Sequence, residues 1–279
     1  MVTNDQRRRQ LAREKFARQQ QRRESARHKA RRRNAVIAAS VAAVLALSGV
    51  ALATDAFKGD GKKDTDAAAS PSPSPSVKDP CAKPAEGKVK ELSYKKEPEL
   101  SIDKSAKYAM ELDTTCGKIG IDLKADAAPH TVNSFNFLVN KGYLDHTKCH
   151  RLTTEGIYVL QCGDPKGTGT GGPGYTIPDE NLKDKSLKGN IYPAGTVAMA
   201  NQYNAQEGKG RNTGGSQFFL VYQDSQLPPD YTPFGTISES GMKVLKKIAG
   251  AGAAAPDPTT GNTAPNATAV INKATVRKS

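Results

Sequence analysis

The chain has no tryptophan, and its 279 residues include only four cysteines and four methionines. The cysteines (Cys81, Cys116, Cys149 and Cys162) form no C-x-x-C pair, which excludes the usual structural zinc cages. They allow three disulfide pairings if the domain is exported, and otherwise serve as small buried apolar residues. The glycine-rich run Gly167-Thr168-Gly169-Thr170-Gly171-Gly172 has no following Lys-Ser/Thr and no helix start, so it is a surface turn and not a phosphate loop. Cys162 has no activating base nearby in sequence, which argues against nucleophilic catalysis. No internal repeat is visible.

Acidic residues are scarce at one end. Residues 1–33 hold 13 Lys/Arg and three acids (Asp5, Glu14, Glu24), a net of +10 out of +13 for the whole chain. The remaining 246 residues carry only +3, so the high pI belongs to a tail. Next comes a run without charge, residues 35–53. As a helix it would span about 28 Å, close to the hydrocarbon thickness of a bilayer. Arg31-Arg32-Arg33 abuts it and keeps the N-terminus cytoplasmic by the positive-inside rule. The segment 34–54 therefore reads as a single transmembrane signal anchor. A leader cleaved after Ala53, or a buried Ala-rich helix, are the competing readings. The tail could instead bind nucleic acid, but it has one aromatic residue, Phe16, and membrane topology explains it more simply, so no nucleic-acid partner is expected.

Residues 55–100 read as a linker rich in Pro, Ser and charge, containing Ser70-Pro71-Ser72-Pro73-Ser74-Pro75-Ser76. A flexible chain of that length spans roughly 35–40 Å. The pattern becomes globular over 101–279. Tyr108, Met110 and Leu112 alternate with polar residues, as do Ile119, Ile121 and Leu123, so a β-hairpin is expected with its turn at 114–117. Pro129 opens a helix whose apolar face is Val132, Phe135, Leu138 and Val139, ended by Gly142. Strands are expected at 149–152, 158–162, 196–200, 217–222, 234–237 and 269–276, with a second helix at 242–249. Many short strands with two helices predict a mainly β fold, an eight-stranded closed antiparallel barrel capped by two helices.

Two segments carry the chemistry: His150-Arg151 leading to Gln161-Cys162-Gly163-Asp164, and Gly215-Ser216-Gln217-Phe218-Phe219. Each sets long planar hydrogen-bonding side chains beside apolar ones, with no proton-transfer pair. Such a site can hold and polarise a peptide without breaking a bond. Together with Thr131-Val132-Asn133-Ser134-Phe135, Lys141-Gly142-Tyr143, Gly169-Thr170-Gly171-Gly172, Met199-Ala200-Asn201 and Phe234-Gly235, these strings run in the order found in cyclophilins. Residues 105–276 resemble a cyclophilin-type peptidyl-prolyl cis–trans isomerase, and the whole chain reads as a membrane-anchored bacterial form.

The resemblance implies catalysis of rotation about X-Pro bonds in exported proteins. The amide barrier is ~18–20 kcal/mol and uncatalysed exchange takes about 10–100 s. Reaching milliseconds requires a reduction of roughly 5.5–7 kcal/mol. By resemblance Arg151 donates to the prolyl nitrogen as it becomes pyramidal, and Gln217 places that arginine. Gln161 and Asn201 bond the substrate backbone. Tyr158, Val159, Ala200, Phe219, Leu227 and Tyr231 line the proline pocket. Phe218, one residue from Phe219, points to the core because strand side chains alternate. His150 positions its neighbour and is no general base, since amide rotation transfers no proton.

The resemblance implies proline-containing polypeptides as partners and a monomeric catalytic domain. The reaction needs no redox change or activated water, so no metal or organic cofactor is expected. The anchor with its flanking arginines places the domain on the extracytoplasmic side. The chain departs from the family at Tyr158 (usually Phe) and Val159 (usually Met). Two extra residues stand between Arg151 and Gln161, and Tyr231 stands where a His is common. Gln226 stands where many members have a Trp that supports cyclosporin binding, which predicts weak inhibition. The altered rim also permits a second reading, a module that holds proline segments with little turnover.

Overall fold

The computed structural model describes residues 78–257 and 262–278. The expected transmembrane helix at 34–54 lies outside the described residues. Among the described residues no helix is long and apolar enough to cross a membrane.

Two seven-residue strands, β1 (Tyr108–Thr114) and β2 (Gly117–Leu123), pair as the expected hairpin. Thr114 faces Gly117 in the closing pair, and Gly117 takes φ 132°, a value few side chains tolerate. The hydroxyl of Thr114 donates to the Gly117 carbonyl at 2.5 Å, which fixes the tight turn around Cys116.

Helix α1 (Pro129–Asn140) opens on a proline whose missing N–H is no loss at that position. Ala128 offers no capping side chain. The Glu180 carboxylate does so from a distant loop, accepting from the amides of His130 (3.0 Å) and Thr131 (2.9 Å). An anion there also complements the helix dipole. The last of the helices, α2 (Glu239–Gly250), begins three residues before its apolar stripe because Ser238 caps it, accepting from Gly241 N at 3.1 Å.

The remaining strands are β3 (Thr147–Lys148), β4 (Arg151–Leu152), β5 (Val159–Cys162), β6 (Ile191–Tyr192), β7 (Thr196–Met199), β8 (Phe218–Val221), β9 (Ser225–Gln226), β10 (Pro233–Ile237) and β11 (Val270–Lys278). Nine strands form one antiparallel sheet in the order β3-β11-β1-β2-β10-β7-β8-β5-β4, and β6 pairs with β9 apart from it. This corrects the expected eight-stranded closed barrel. The sheet curls, but no ladder joins its end strands β3 and β4. The physical reason lies in the chain path. These ends are consecutive pieces of one segment, linked only by Cys149-His150. The amide of Cys149 donates to Ala269 O beside β11 (2.9 Å), and that of His150 donates to Gln161 O on β5 (3.0 Å). One stretch thus changes partner in mid-course, and the covalent chain bridges the gap in the hydrogen-bond ring.

Inside the curl lies the main core, where Phe135 stacks on Phe234 at 4.7 Å and meets Phe218 edge-on at 5.4 Å. Leu152, Leu160, Leu220 and Val197 form an apolar row across β4, β5, β8 and β7, each 1% exposed or less.

The four cysteines pair as Cys81–Cys116 and Cys149–Cys162, which selects one of the three possible pairings. The first bond bears on the segment read as a linker. Residues 78–100 contain no helix or strand, yet they lie against the domain. Ala82 N donates to Thr115 O (2.8 Å), Tyr94 N donates to Pro173 O (2.8 Å), and the Tyr94 ring meets Phe137 edge-on at 4.9 Å. A flexible linker covering all of 55–100 therefore does not describe its last part, which is a strap on the domain surface.

The Cys81–Cys116 bond closes a sequence separation of 35 residues. Changing both residues to Ser should lower the unfolding free energy by about 3 kcal/mol, chiefly by freeing the unfolded chain. Denaturant titration of the double variant beside the oxidised parent checks this.

Candidate active site

The strand register builds the site. Arg151 on β4 faces Gln161 on β5, Gln161 faces Phe219 on β8, and Phe219 faces Ala198 on β7. Directly opposed residues share a face, with neighbouring side chains about 5 Å apart. A guanidinium, an amide and a phenyl ring therefore stand in one row, on the face opposite the apolar row of the main core. Phe218 alternates inward to that core, and Phe219, 5% exposed, belongs to a second cluster with Val159, Tyr192, Ala198 and Val221.

A cavity of about 150 Å³ opens over this cluster. Arg151 and Gln161 form its polar side. Val159, Phe219 and Leu227 form its apolar side, and Ala200, Asn201 and Tyr231 lie along the rim. The Tyr231 ring meets Phe219 edge-on at 5.5 Å, and burial pushes its pKa up, so the phenol stays neutral. A larger groove of about 510 Å³ shares Gln161, Ala200 and Asn201 with it and continues past Gln217 along the loop from Gly171 to Thr176.

Nine of the ten residues assigned from sequence border one or both of these hollows. Tyr158 does not. Its ring packs edge-on against Tyr222 at 5.8 Å, on the other side of the strand, and Ile157 takes the place by the cavity. Alternation decides this: Ile157, Val159 and Gln161 share one face, so Tyr158 cannot join Val159 there. The same rule that separates Phe218 from Phe219 could have found Ile157.

The guanidinium is held by neutral groups. Arg151 Nη1 donates to Gln161 Oε1 (3.3 Å), Gln161 Nε2 donates to Gln217 Oε1 (2.9 Å), and Gln217 Nε2 donates to the Gly171 carbonyl (2.8 Å). Among the described residues Arg151 makes no ion pair. Burial pushes its pKa down, yet an arginine remains charged near neutrality.

The relay ends on Asp164, whose role the sequence reading missed. Burial alone would push this carboxyl up. The amides of Gly171, Lys166, Gly169 and Thr168 all point at it and hold its pKa below the ordinary value. The glycine-rich turn thus wraps a buried carboxylate. Gly171 must be glycine, because a Cβ there would collide with the Asp164 carboxylate. An acid three residues before the glycine-rich run was the available signal.

Asn201 acts differently from the glutamines. Its Nδ2 donates to Asp230 O (2.8 Å) and Asp179 Oδ1 (3.3 Å), and its Oδ1 accepts from Tyr203 N (3.1 Å). The side chain is committed. Its main-chain N–H and C=O have no partner among the described residues, a free peptide edge on a residue that borders both hollows.

His150 is 5% exposed, and neither ring nitrogen has a partner among the described residues. It borders a separate hollow with Cys149 and Thr168, away from the Arg151 cavity. Gln226 is exposed and donates to Gly189 O at 3.1 Å. No group of three or more His, Cys, Asp or Glu among the described residues could hold a metal ion.

Residues 109–276 match the model of the cyclophilin type peptidyl-prolyl cis-trans isomerase family. The chain belongs to that family. A probable peptidyl-prolyl cis-trans isomerase B of Mycobacterium leprae is 50% identical over 157 residues, 53% of this chain and 51% of that protein. Peptidyl-prolyl cis-trans isomerase B of Bacillus subtilis is 40% identical over 134 residues, 47% of this chain and 82% of that one. The crystal structure of a Cryptosporidium parvum cyclophilin type isomerase has 25% identity and a TM-score of 0.47, covering 62% of this chain and 99% of that one. This chain spans about half the length of the mycobacterial relatives it matches. The cyclophilin domain thus accounts for the β-rich region, and the strap of residues 78–100 lies outside the family match.

Burial depresses the His150 pKa below 6.5, so the folded domain keeps the ring neutral while the unfolded chain protonates it near pH 6.5. Its contribution to stability is complete above that value and is lost as pH falls further. The drop in unfolding free energy between about pH 7.5 and about pH 5 should therefore be smaller in His150→Gln than in the parent, read by denaturant titration at both values.

Proposed function

We propose that the cyclophilin domain catalyses rotation about X-Pro bonds in polypeptides, by binding the twisted amide better than either planar form. The observation that carries this is the placing of the Arg151 guanidinium and the Phe219 ring in the walls of one cavity. The proline ring enters the apolar side, against Phe219, Val159 and Leu227. The free peptide edge of Asn201 and the amide of Gln161 hold the flanking backbone. As the bond twists, the prolyl nitrogen loses conjugation and gains a lone pair. A preorganised guanidinium can then donate to it without first breaking an ion pair. Interactions that strengthen only in the twisted state accelerate the step. No bond is made or broken, so no acid, base or nucleophile is needed.

Removing one such donor should cost about 10²–10³ in rate, by analogy with oxyanion donors. Arg151→Ala should lower kcat/KM for a proline peptide by that order while leaving the fold intact. Arg151→Lys should recover only part, since a point charge cannot match the planar fork. An isomerisation assay on the parent and both variants checks this. A parent no faster than Arg151→Ala would replace the enzyme reading with that of a module that holds proline segments.

We further propose that residues 34–54 anchor the chain in a membrane, with the basic tail of residues 1–33 inside and the domain outside, where it assists folding of exported proteins. The support is the uncharged run at 35–53, the flanking arginines, and two disulfides, which persist in oxidising compartments. Protease added to intact cells should digest a tag at the C-terminus. A protected tag overturns the topology, and a tag found wholly in the medium indicates cleavage after Ala53.

A further inference from the structure

Between β7 and β8 the chain makes a long excursion, residues 200–217, that leaves the sheet and returns. Its tip folds on itself: Asn204 N donates to Lys209 O (2.8 Å) and Gly208 N donates to Asn204 O (2.8 Å). On the returning limb, Arg211 lies with its guanidinium carbon 3.5 Å from the centroid of the Tyr203 ring. The same guanidinium pairs with the Asp230 carboxylate, donates from Nη1 to the Asp230 carbonyl (3.3 Å), and stands 3.6 Å from Asp179 Oδ2. Arg211 does not itself border the cavity.

The acceptors Arg211 holds are those that hold Asn201. The Asp230 carbonyl accepts from both Arg211 and Asn201 Nδ2, and Asp179 gives one carboxylate oxygen to each. Asp230 also immediately precedes Tyr231, on the cavity rim. One cation therefore ties together three segments, at residue 179, residues 201–203 and residues 230–231, two of which carry rim residues. Both acids are largely buried, with side-chain exposures of 8% for Asp179 and 17% for Asp230. Without the cation between them, two carboxylates in a poorly solvated place repel each other. Asn201 and Tyr231 would move with them, and the free peptide edge of Asn201 would lose its register with the cavity.

We propose that Arg211 is a positioning residue for substrate binding, which neutralises Asp179 and Asp230 and so fixes the main chain of Asn201 beside the proline socket. This rests on the isomerase reading of the same site. The effect falls on binding, because the guanidinium of Arg151 is held by a different relay through Gln161 and Gln217. It follows that KM and kcat should separate.

The test uses the full chain with Arg211→Met, which keeps an apolar stem over Tyr203 but removes the charge. KM for a proline peptide should rise roughly fivefold, with kcat within about twofold of the parent. Arg211→Lys should restore part of the loss. Asp179→Asn added to Arg211→Met should lower KM again, because it removes one of the two opposed charges; a passive stability role predicts no such rescue. An unchanged KM in Arg211→Met, or equal losses in kcat and KM without rescue by Asp179→Asn, would overturn the proposal. If the parent itself shows no turnover above Arg151→Ala, titration calorimetry with the same peptide decides instead. A weaker Kd in Arg211→Met, recovered by Asp179→Asn, then supports the positioning role in a binding module, and an unchanged Kd overturns it.

Discussion

A cation held only by neutral dipoles is the constraint on which the site depends. Had Arg151 been paired with a carboxylate, the charge would already have been spent in the ground state. Gln161 and Gln217 carry the support outward through two amides to the Gly171 carbonyl, and the nearest carboxylate in that series, Asp164, is reached only beyond it. Asp164 is itself saturated by four backbone amides. The negative charge is thus consumed locally in shaping a loop, and the positive charge stays available for a nitrogen that becomes basic only when its amide twists.

The sheet makes this arrangement possible by sending alternate residues to opposite faces. β4, β5, β8 and β7 each present one row inward and one outward. The inward row of Leu152, Leu160, Leu220 and Val197 joins the main core. The outward row begins with Arg151, Gln161 and Phe219. Stability and function therefore share four strands without sharing side chains. The break in the hydrogen-bond ring sits one residue from Arg151, at Cys149-His150, and the Cys149–Cys162 bond ties that joint to β5. Where the ladder could not close the curl, a covalent bond fixes the strand that carries the guanidinium.

Local patterns were legible wherever period and punctuation agreed. The hairpin of β1 and β2 followed from strict alternation and a turn glycine, and α1 from Pro129 and its apolar stripe. The start of α2 was displaced because the stripe begins at Met242 while the cap lies at Ser238. Long-range facts were not legible. The partner of Cys81 depends on where the strap crosses the hairpin, and no local signal carries that. Closure of the barrel was inferred from strand number, but a two-residue strand cannot pair on both edges with its own continuation. Tyr158 was placed by alignment of motifs across a two-residue insertion, where alternation counted back from Gln161 would have selected Ile157.

The strap shows why composition misled. Residues 78–100 are rich in Lys, Glu and Pro and have no period, which is how a solvated linker reads. Their attachment comes from specific points: one disulfide, one ring pair, the Glu97–His130 pair, the Asp79 carboxylate accepting from Thr268 N, the Pro98 and Glu99 carbonyls accepting from Asn133, and hydrogen bonds from Ala82, Ala85, Lys90 and Tyr94. The last of these reaches Pro173, two residues beyond Gly171, and Gly174 packs so closely on Ser93 and Tyr94 that a Cβ would not fit. The loop that presents its carbonyl to Gln217 is therefore held from two sides, by the Asp164 carboxylate within and by the strap without. A segment outside the family match thereby contributes to the rigidity of the relay that aims Arg151, because a carbonyl free to move would leave each amide in the series without a fixed acceptor.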